Sequence, residues 1–299
     1  MHITAKAIWS LLRQTALTWL DDYAPSMGAA LAFYTLFSLA PLMLIVVSVG
    51  GMLFGEEAAR GEIASQLVLL MGSTGARAVQ DLLASVRQPT QGSLATVLGL
   101  ALLFLGATTV FAELQNALDR IWHAPPSWRG GTWMTLVRTR LLSFGLILAI
   151  GFLLLVSLVF SAALALLGRW IEPVFGAWYA LAALSNAVAA FAMVTAMLAV
   201  IYKVMPRARV QWRDVWTGAL FTAMLFSFGR YLIGLYIGRS GVVTGFGAAG
   251  SLVVMLLWVY YSAQIFLLGA EFTWVYANHF GSRKPGGEHA AVIQAGGMP

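Results

Sequence analysis

The chain has no cysteine, so disulfides, thiolate catalysis and zinc-ribbon sites are excluded. Charge is nearly as scarce. Asp, Glu, Lys and Arg together make up 10% of the residues, where a soluble domain carries about a quarter. Histidine is confined to His2, His123, His279 and His289, which scatter through expected loops and tails, and no carboxylate cluster suited to a two-metal site accompanies them. Neither a phosphate-cradling glycine loop nor a nucleophile with its base can be picked out. The chain reads as a protein without metal, cofactor or catalytic centre. What it has instead is apolar surface, with hydrophobic residues at 60%.

That apolar content is arranged in runs. Between Arg239 and Glu271 stand thirty-one residues without one Asp, Glu, Lys, Arg or His. A bilayer core about 30 Å thick needs about 20 apolar residues at a rise of about 1.5 Å each, and 250–270 supplies them without a proline. Segments 23–55, 88–112, 141–168 and 173–202 are likewise free of charge, and 215–238 is broken once, by Arg230. The fold class expected is all-α: a polytopic membrane protein with six transmembrane helices, at about 28–54, 92–115, 140–168, 178–203, 215–238 and 247–276. These form one domain over 1–280, with 281–299 as a flexible tail rich in glycine. Trp9, Leu12, Ala16, Trp19 and Leu20 fall at helical spacing around Lys6 and Arg13, which predicts an amphipathic helix lying in the interface. The loop 56–87 carries Ile63, Leu67 and Leu70, then Val79, Leu82, Leu83 and Val86, and reads as two short amphipathic helices on the outer side.

The net charge of +6 invites a nucleic-acid partner, but its distribution argues against one. Alternate loops hold twelve and five Lys and Arg, and the richer side contains both termini, so both are expected in the cytoplasm. Clusters such as Arg129, Arg138 and Arg140, or Lys203, Arg207, Arg209 and Arg213, then serve as topology signals and contacts for anionic lipid. No internal repeat is visible, so symmetry does not point to a site.

Three constellations are candidate binding elements. Tyr34, Ser38 and Pro41 share one face of the first span, where Pro41 removes a backbone donor and frees the carbonyl of Phe37. This is a ligand notch or a packing kink with Ser38 bonded back to its own helix. Glu113 and Asn116, with Arg120, form a polar stripe at the end of the second span, readable as a binding face or as a solvated helix end. Arg230 stands inside the fifth span, where a charge costs about 2.5–3.5 kcal/mol unless it faces protein, water or an anion. Tyr260, Gln264 and Glu271 share a face of the sixth helix, with Glu271 expected near the cytoplasmic surface. Gly245, Gly247, Ala248, Ala249 and Gly250 permit close helix approach or form an outer hinge.

The segments ALAFYTLFSLAPL, ELQNALDRIW, YKVMPRARVQWRDVWTGAL and GFGAAGSLVVMLLWVYYSAQIFLLGAEF, in this order and spacing, resemble the YihY/BrkB family of bacterial inner-membrane proteins from about Trp19 to Tyr276. The resemblance implies six inner-membrane helices with cytoplasmic termini, in agreement with the charge count. The family's older label, ribonuclease BN, finds no support in these residues, and other members carry names linked to serum resistance and virulence. The function expected is transport of a lipid or lipid-like amphiphile toward the outer leaflet. Membrane phospholipids are then the partners, and a periplasmic lipid-transfer protein is the candidate recipient. An ion or proton exchanger is the alternative, disfavoured because Asp and Glu are expected outside the spans. A non-transporting envelope scaffold is a third. Oligomeric state is left open.

Overall fold

Leucine, alanine and methionine, which lose little side-chain freedom in a helix, are plentiful in the long runs, and every described element is helical. The structure is a computed structural model. It describes residues 5–38, scattered positions between 61 and 81, and residues 109–124, 178–208, 210–239, 245–246 and 249–284. Pro41, the span expected at 140–168, most of those at 28–54 and 92–115, and the tail beyond 284 lie outside the described residues.

Helix α1, Ala5–Asp21, is amphipathic as its spacing predicts: it exposes Ile8, Trp9, Leu12 and Leu20 together with Lys6 and Arg13, and buries Thr15. Its end is a tight turn in which Asp22 N–H reaches Thr18 O and Tyr23 takes a φ of 58°. Helix α2 follows over 24–38, and α3 over 109–121. Three long helices come next: α4, Trp178–Val204; α5, Trp212–Arg239; and α6, Gly250–His279. Each contains a stretch long and apolar enough to cross a membrane.

Helix α4 agrees with its expected bounds, ending just before the buried Pro206. Helix α5 begins three residues earlier than the charge-free run, because Asp214 in the first turn meets the positive end of the helix dipole. Helix α6 continues through Glu271 to His279, so a carboxyl group stands eight residues inside the end of a membrane-crossing helix. This corrects the expectation that every Asp and Glu falls outside the spans.

The chain falls into two compact units. The first comprises Met1–Thr15, Leu118–Met224 and Gly269–Pro299, the second Ala16–Ala117 and Leu225–Leu268. In the second, Leu67, Val79, Ile237, Met255 and Trp258 belong to one buried apolar cluster, against which Leu36 and Phe226 pack. In the first, Leu118, Ile121, Trp122, Val215 and Val275 are buried, and α6 is enclosed on every side. Five consecutive residues, 269–273, are buried there, and at 100° per residue they cover the whole circumference of the helix.

Along α5 the apolar side chains sort into two faces. Val215, Ala219, Ala223, Ile233 and Ile237 are buried, whereas Leu220, Met224, Phe228 and Leu235 are exposed on one broad face. Trp212 and Trp216 stand exposed near one end of this helix, and Tyr231 and Tyr236 toward the other. Twenty-four residues separate Trp212 from Tyr236, about 36 Å of helix, which brackets a hydrocarbon core of about 30 Å with the aromatic residues favoured at both interfaces.

Candidate functional site

In the first unit α5 and α6 run antiparallel and meet at two matching pairs. A Cβ built on Gly218 would overlap the side chain of Thr273, and one on Gly269 would overlap the hydroxyl of Thr222. Both threonines are held in place by their own helices: Thr222 Oγ1 donates to Gly218 O at 2.7 Å, and Thr273 Oγ1 to Gly269 O at 2.6 Å. Each helix therefore offers a glycine to the threonine of the other, and the two backbones approach closely. From α4, Tyr202 brings its buried hydroxyl to 3.1 Å from Thr222 Oγ1. Phe221 stacks on Phe272 at 3.9 Å between ring centroids, which closes the same crossing on another side.

Glu271 belongs to this level of α6 but not to the crossing face. It stands roughly 160–200° around the helix from Gly269 and Thr273 by the 100° rule, and its side chain is fully buried. The pairings of Gly218 with Thr273 and Gly269 with Thr222 place Glu271 level with position 220 of α5. That is one turn from Trp216 and two from Trp212, or about 6 and 12 Å inside the aromatic residues at that end. Sequence reasoning, which expected Glu271 near the cytoplasmic surface, did not foresee that its side chain is enclosed by protein.

Beyond the crossing, the helix ends of the first unit are tied by polar side chains. Asp119 at the end of α3 accepts from Arg207 N at 2.7 Å, and its other oxygen lies 3.5 Å from Arg207 Nε. Burial pushes the Asp119 carboxyl above its ordinary range, opposed by the Arg207 hydrogen bond and charge. Asp214 in the first turn of α5 is buried and accepts from Ser282 Oγ at 2.5 Å and from Ser282 N. Next to it, Arg283 is lowered by burial, opposed by the Asp214 charge, and its guanidinium lies 5.0 Å from the ring of Trp122. Lys203 donates to Val210 O and sits over Trp212. His123, at a φ of 48°, closes α3 with Ala124 N reaching back to Asp119 O, and its ring lies 5.1 Å from that of Trp274.

The second unit gathers most of the sequence-predicted residues without joining them into one contact set. Gln264 Nε2 donates to Pro25 O at 3.3 Å, and its amide fills the space that a side chain at Gly28 would need. Leu36 of α2 packs on the apolar cluster to which Val254, Met255 and Trp258 of α6 belong. Gly229 meets Tyr261 of α6, which brings Arg230 to nearly the same level. Arg230 is half-buried and, at 100° per residue, falls between Ala219 and Ala223 on the buried face of α5. Ser38 is buried and donates to Thr35 O of its own helix at 3.1 Å. Glu113 is half-buried and Asn116 exposed on α3. Of the small-residue stretch, Gly245 and Ala249 are exposed and Gly250 is buried.

Sequence reasoning missed Gly218, Thr222, Gly269, Thr273, Tyr202 and Asp214. The first four carried a signal: a glycine followed four residues later by threonine recurs in two successive spans, a small-residue spacing that favours close helix packing. Among the described residues no group of His, Asp and Glu is placed to hold a metal ion.

The family described as virulence factor BrkB matches residues 16–294. The UPF0761 membrane protein of Pseudomonas paraeruginosa is 30% identical over 261 residues, covering 86% of this chain and 60% of the relative. That of Alcanivorax borkumensis is 30% identical over 263 residues, covering 84% and 56%, and that of Pseudoalteromonas translucida 26% over 274, covering 89% and 88%. The chain thus spans about three-fifths of the length of the first two of these relatives. No solved structure matches it. A family match over nearly the whole chain, joined to three long apolar helices, makes this protein a member of the BrkB family of integral membrane proteins.

Proposed function

We propose that the protein is a transporter that moves a lipid or lipid-like amphiphile toward the outer leaflet of the bacterial inner membrane. The observation that supports this reading is the position of Arg230. It is half-buried on α5, on the face of the buried Ala219, Ala223 and Ile237, so a charge inside a membrane-length helix is turned toward the interior of the bundle rather than toward hydrocarbon. A guanidinium cannot lose its charge and is costly in hydrocarbon, so an anionic headgroup drawn to it gains more than it would in water. The exposed apolar face of Leu220, Met224 and Phe228, around the helix from it, suits the acyl chains. Membrane phospholipids are the natural cargo, with a periplasmic lipid-transfer protein as recipient.

The test is reconstitution of the purified chain into liposomes carrying fluorescent phosphatidylglycerol or phosphatidylcholine, with externally added dithionite reporting movement between leaflets. The wild type should accelerate exchange of the anionic lipid, and Arg230→Gln should reduce that rate while changing the zwitterionic rate little. Protein that leaves both lipids at the rate of empty liposomes, with and without a lipid acceptor outside, would sink the reading.

A further inference from the structure

Helix α1 sorts its side chains into distinct sectors. At 100° per residue Ile8, Leu12, Ala16, Trp9 and Leu20 follow one another along an arc of about 120°, and all five are exposed. Trp19, inside the same arc by spacing, is half-buried. Arg13 and Lys6 come next, both exposed, about 20° apart around the helix and about 10 Å apart along it. Among the described residues neither forms an ion pair. Beyond them stand the exposed Leu17, Ser10 and Asp21, and the remaining side, with Leu11, Gln14, Thr15 and Thr18, is buried or half-buried against protein.

A surface helix set between protein and water buries its apolar side. Here the protein takes the side that carries Gln14, Thr15 and Thr18, and the apolar arc is turned outward. Going around the helix, apolar, basic and then polar side chains follow in the order in which a leaflet presents acyl chain, phosphate and water. We propose that α1 is a docking site for anionic phospholipid, with its apolar arc in the acyl region of one leaflet and Lys6 and Arg13 at the phosphates. The charge pattern selects a lipid surface over a protein partner: both cations stand at one edge of the arc, level with each other around the helix, as a flat sheet of phosphates requires. The end of the helix is held to the bundle. It leads into the turn at Asp22 and Tyr23 and then to Pro25, whose carbonyl accepts from Gln264 of α6. This site uses none of the residues of the headgroup reading and requires no lipid to be moved.

Because the chain has no cysteine, a single bimane label can be attached at Ala16→Cys, in the apolar arc, or at Ser10→Cys, beyond the basic edge. The labelled protein is placed in nanodiscs of phosphatidylcholine that hold a minor fraction of phosphatidylglycerol or phosphatidylcholine bearing a nitroxide near the top of one acyl chain. Both nitroxide lipids should quench the label at Ala16→Cys, phosphatidylglycerol several-fold more. Dissolved iodide should quench Ser10→Cys and spare Ala16→Cys. A basic residue close to an anionic surface favours it by about five-fold, so Lys6→Gln should lower the preference and Lys6→Gln with Arg13→Gln should abolish it. Lys6→Arg with Arg13→Lys, which keeps both charges, should retain it. All these positions are exposed, so the variants should elute from size exclusion as the wild type does. Equal quenching by the two lipids, or a preference that survives loss of both charges, overturns the proposal. So does a label at Ala16→Cys shielded from nitroxide and iodide alike, which would put another protein on this face, or one that only iodide reaches, which would put water there. Quenching reports where lipid sits and not whether it crosses, so failure of the transport reading would leave these outcomes unchanged.

Discussion

At the scale of single residues, the tightest constraint in the described chain is glycine at the α5–α6 crossing. Gly218 and Gly269 are required for what they lack, since a methyl group at either would collide with a threonine already bonded to its own helix. Thr222 cannot swing away without breaking its bonds to Gly218 O and Tyr202, and Thr273 would lose Gly269 O. Overpacking of this kind costs about 1–3 kcal/mol. Gly218→Ala and Gly269→Ala should therefore each lower the temperature at which the detergent-solubilised protein aggregates. Gly234→Ala is the matched control, because nothing lies within 4 Å of a Cβ there, and exchanging a mid-helix glycine for alanine favours the helix by about 0.5–1 kcal/mol. Equal melting of all three variants in static light scattering would show that the crossing is looser than these contacts require. Glu271 illustrates the opposite limit of sequence reading. Its type and helix face could be read along the chain, but its enclosure could not, because the contacts around this stretch of α6 come from residues distant in sequence, such as Gly218 and Thr222 of α5 and Tyr202 of α4.

At the scale of elements, the three long helices were legible because length and absence of charge are local properties. The bounds of α4 match, and those of α5 and α6 differ by up to three residues where a charged side chain is accommodated. Asp214 begins α5 because the helix dipole favours an acid there, and Ser282, sixty-eight residues later, completes its hydrogen bonding. No periodicity announces such a tie. The faces of α5 lead to a prediction proper to a whole helix. With no native cysteine, spin labels can be introduced singly at Leu220, Met224 and Phe228, and at Ala219, Ala223 and Ile233. In lipid, the first three should collide frequently with dissolved oxygen and the second three rarely, while a water-soluble nickel complex should reach none of Leu220, Met224 or Phe228. Its access should rise at Trp212, the exposed tryptophan at the helix start. Oxygen collision rates without this alternation would mean that α5 does not turn one face to lipid.

At the scale of the whole molecule, what organises the chain is the asymmetry of its basic residues. Twelve Lys and Arg fall on one set of alternating loops and five on the other, a bias that acts during insertion and leaves no imprint on side-chain packing. The orientation is accordingly an expectation from sequence, and the described helices supply the positions at which to measure it. Ser10 on α1 and Lys284 after α6 are exposed and belong to the richer side, whereas Arg239 at the end of α5 is exposed and belongs to the poorer side. Single cysteines placed by Ser10→Cys, Lys284→Cys and Arg239→Cys can be challenged with a membrane-impermeant maleimide. In intact spheroplasts Arg239→Cys should react and the other two should not, and in inverted vesicles the pattern should reverse. If Lys284→Cys reacts from outside, the carboxyl end is periplasmic. Position 271 would then lie nearest the periplasmic surface, and the bias of basic residues would not have set the orientation of this chain.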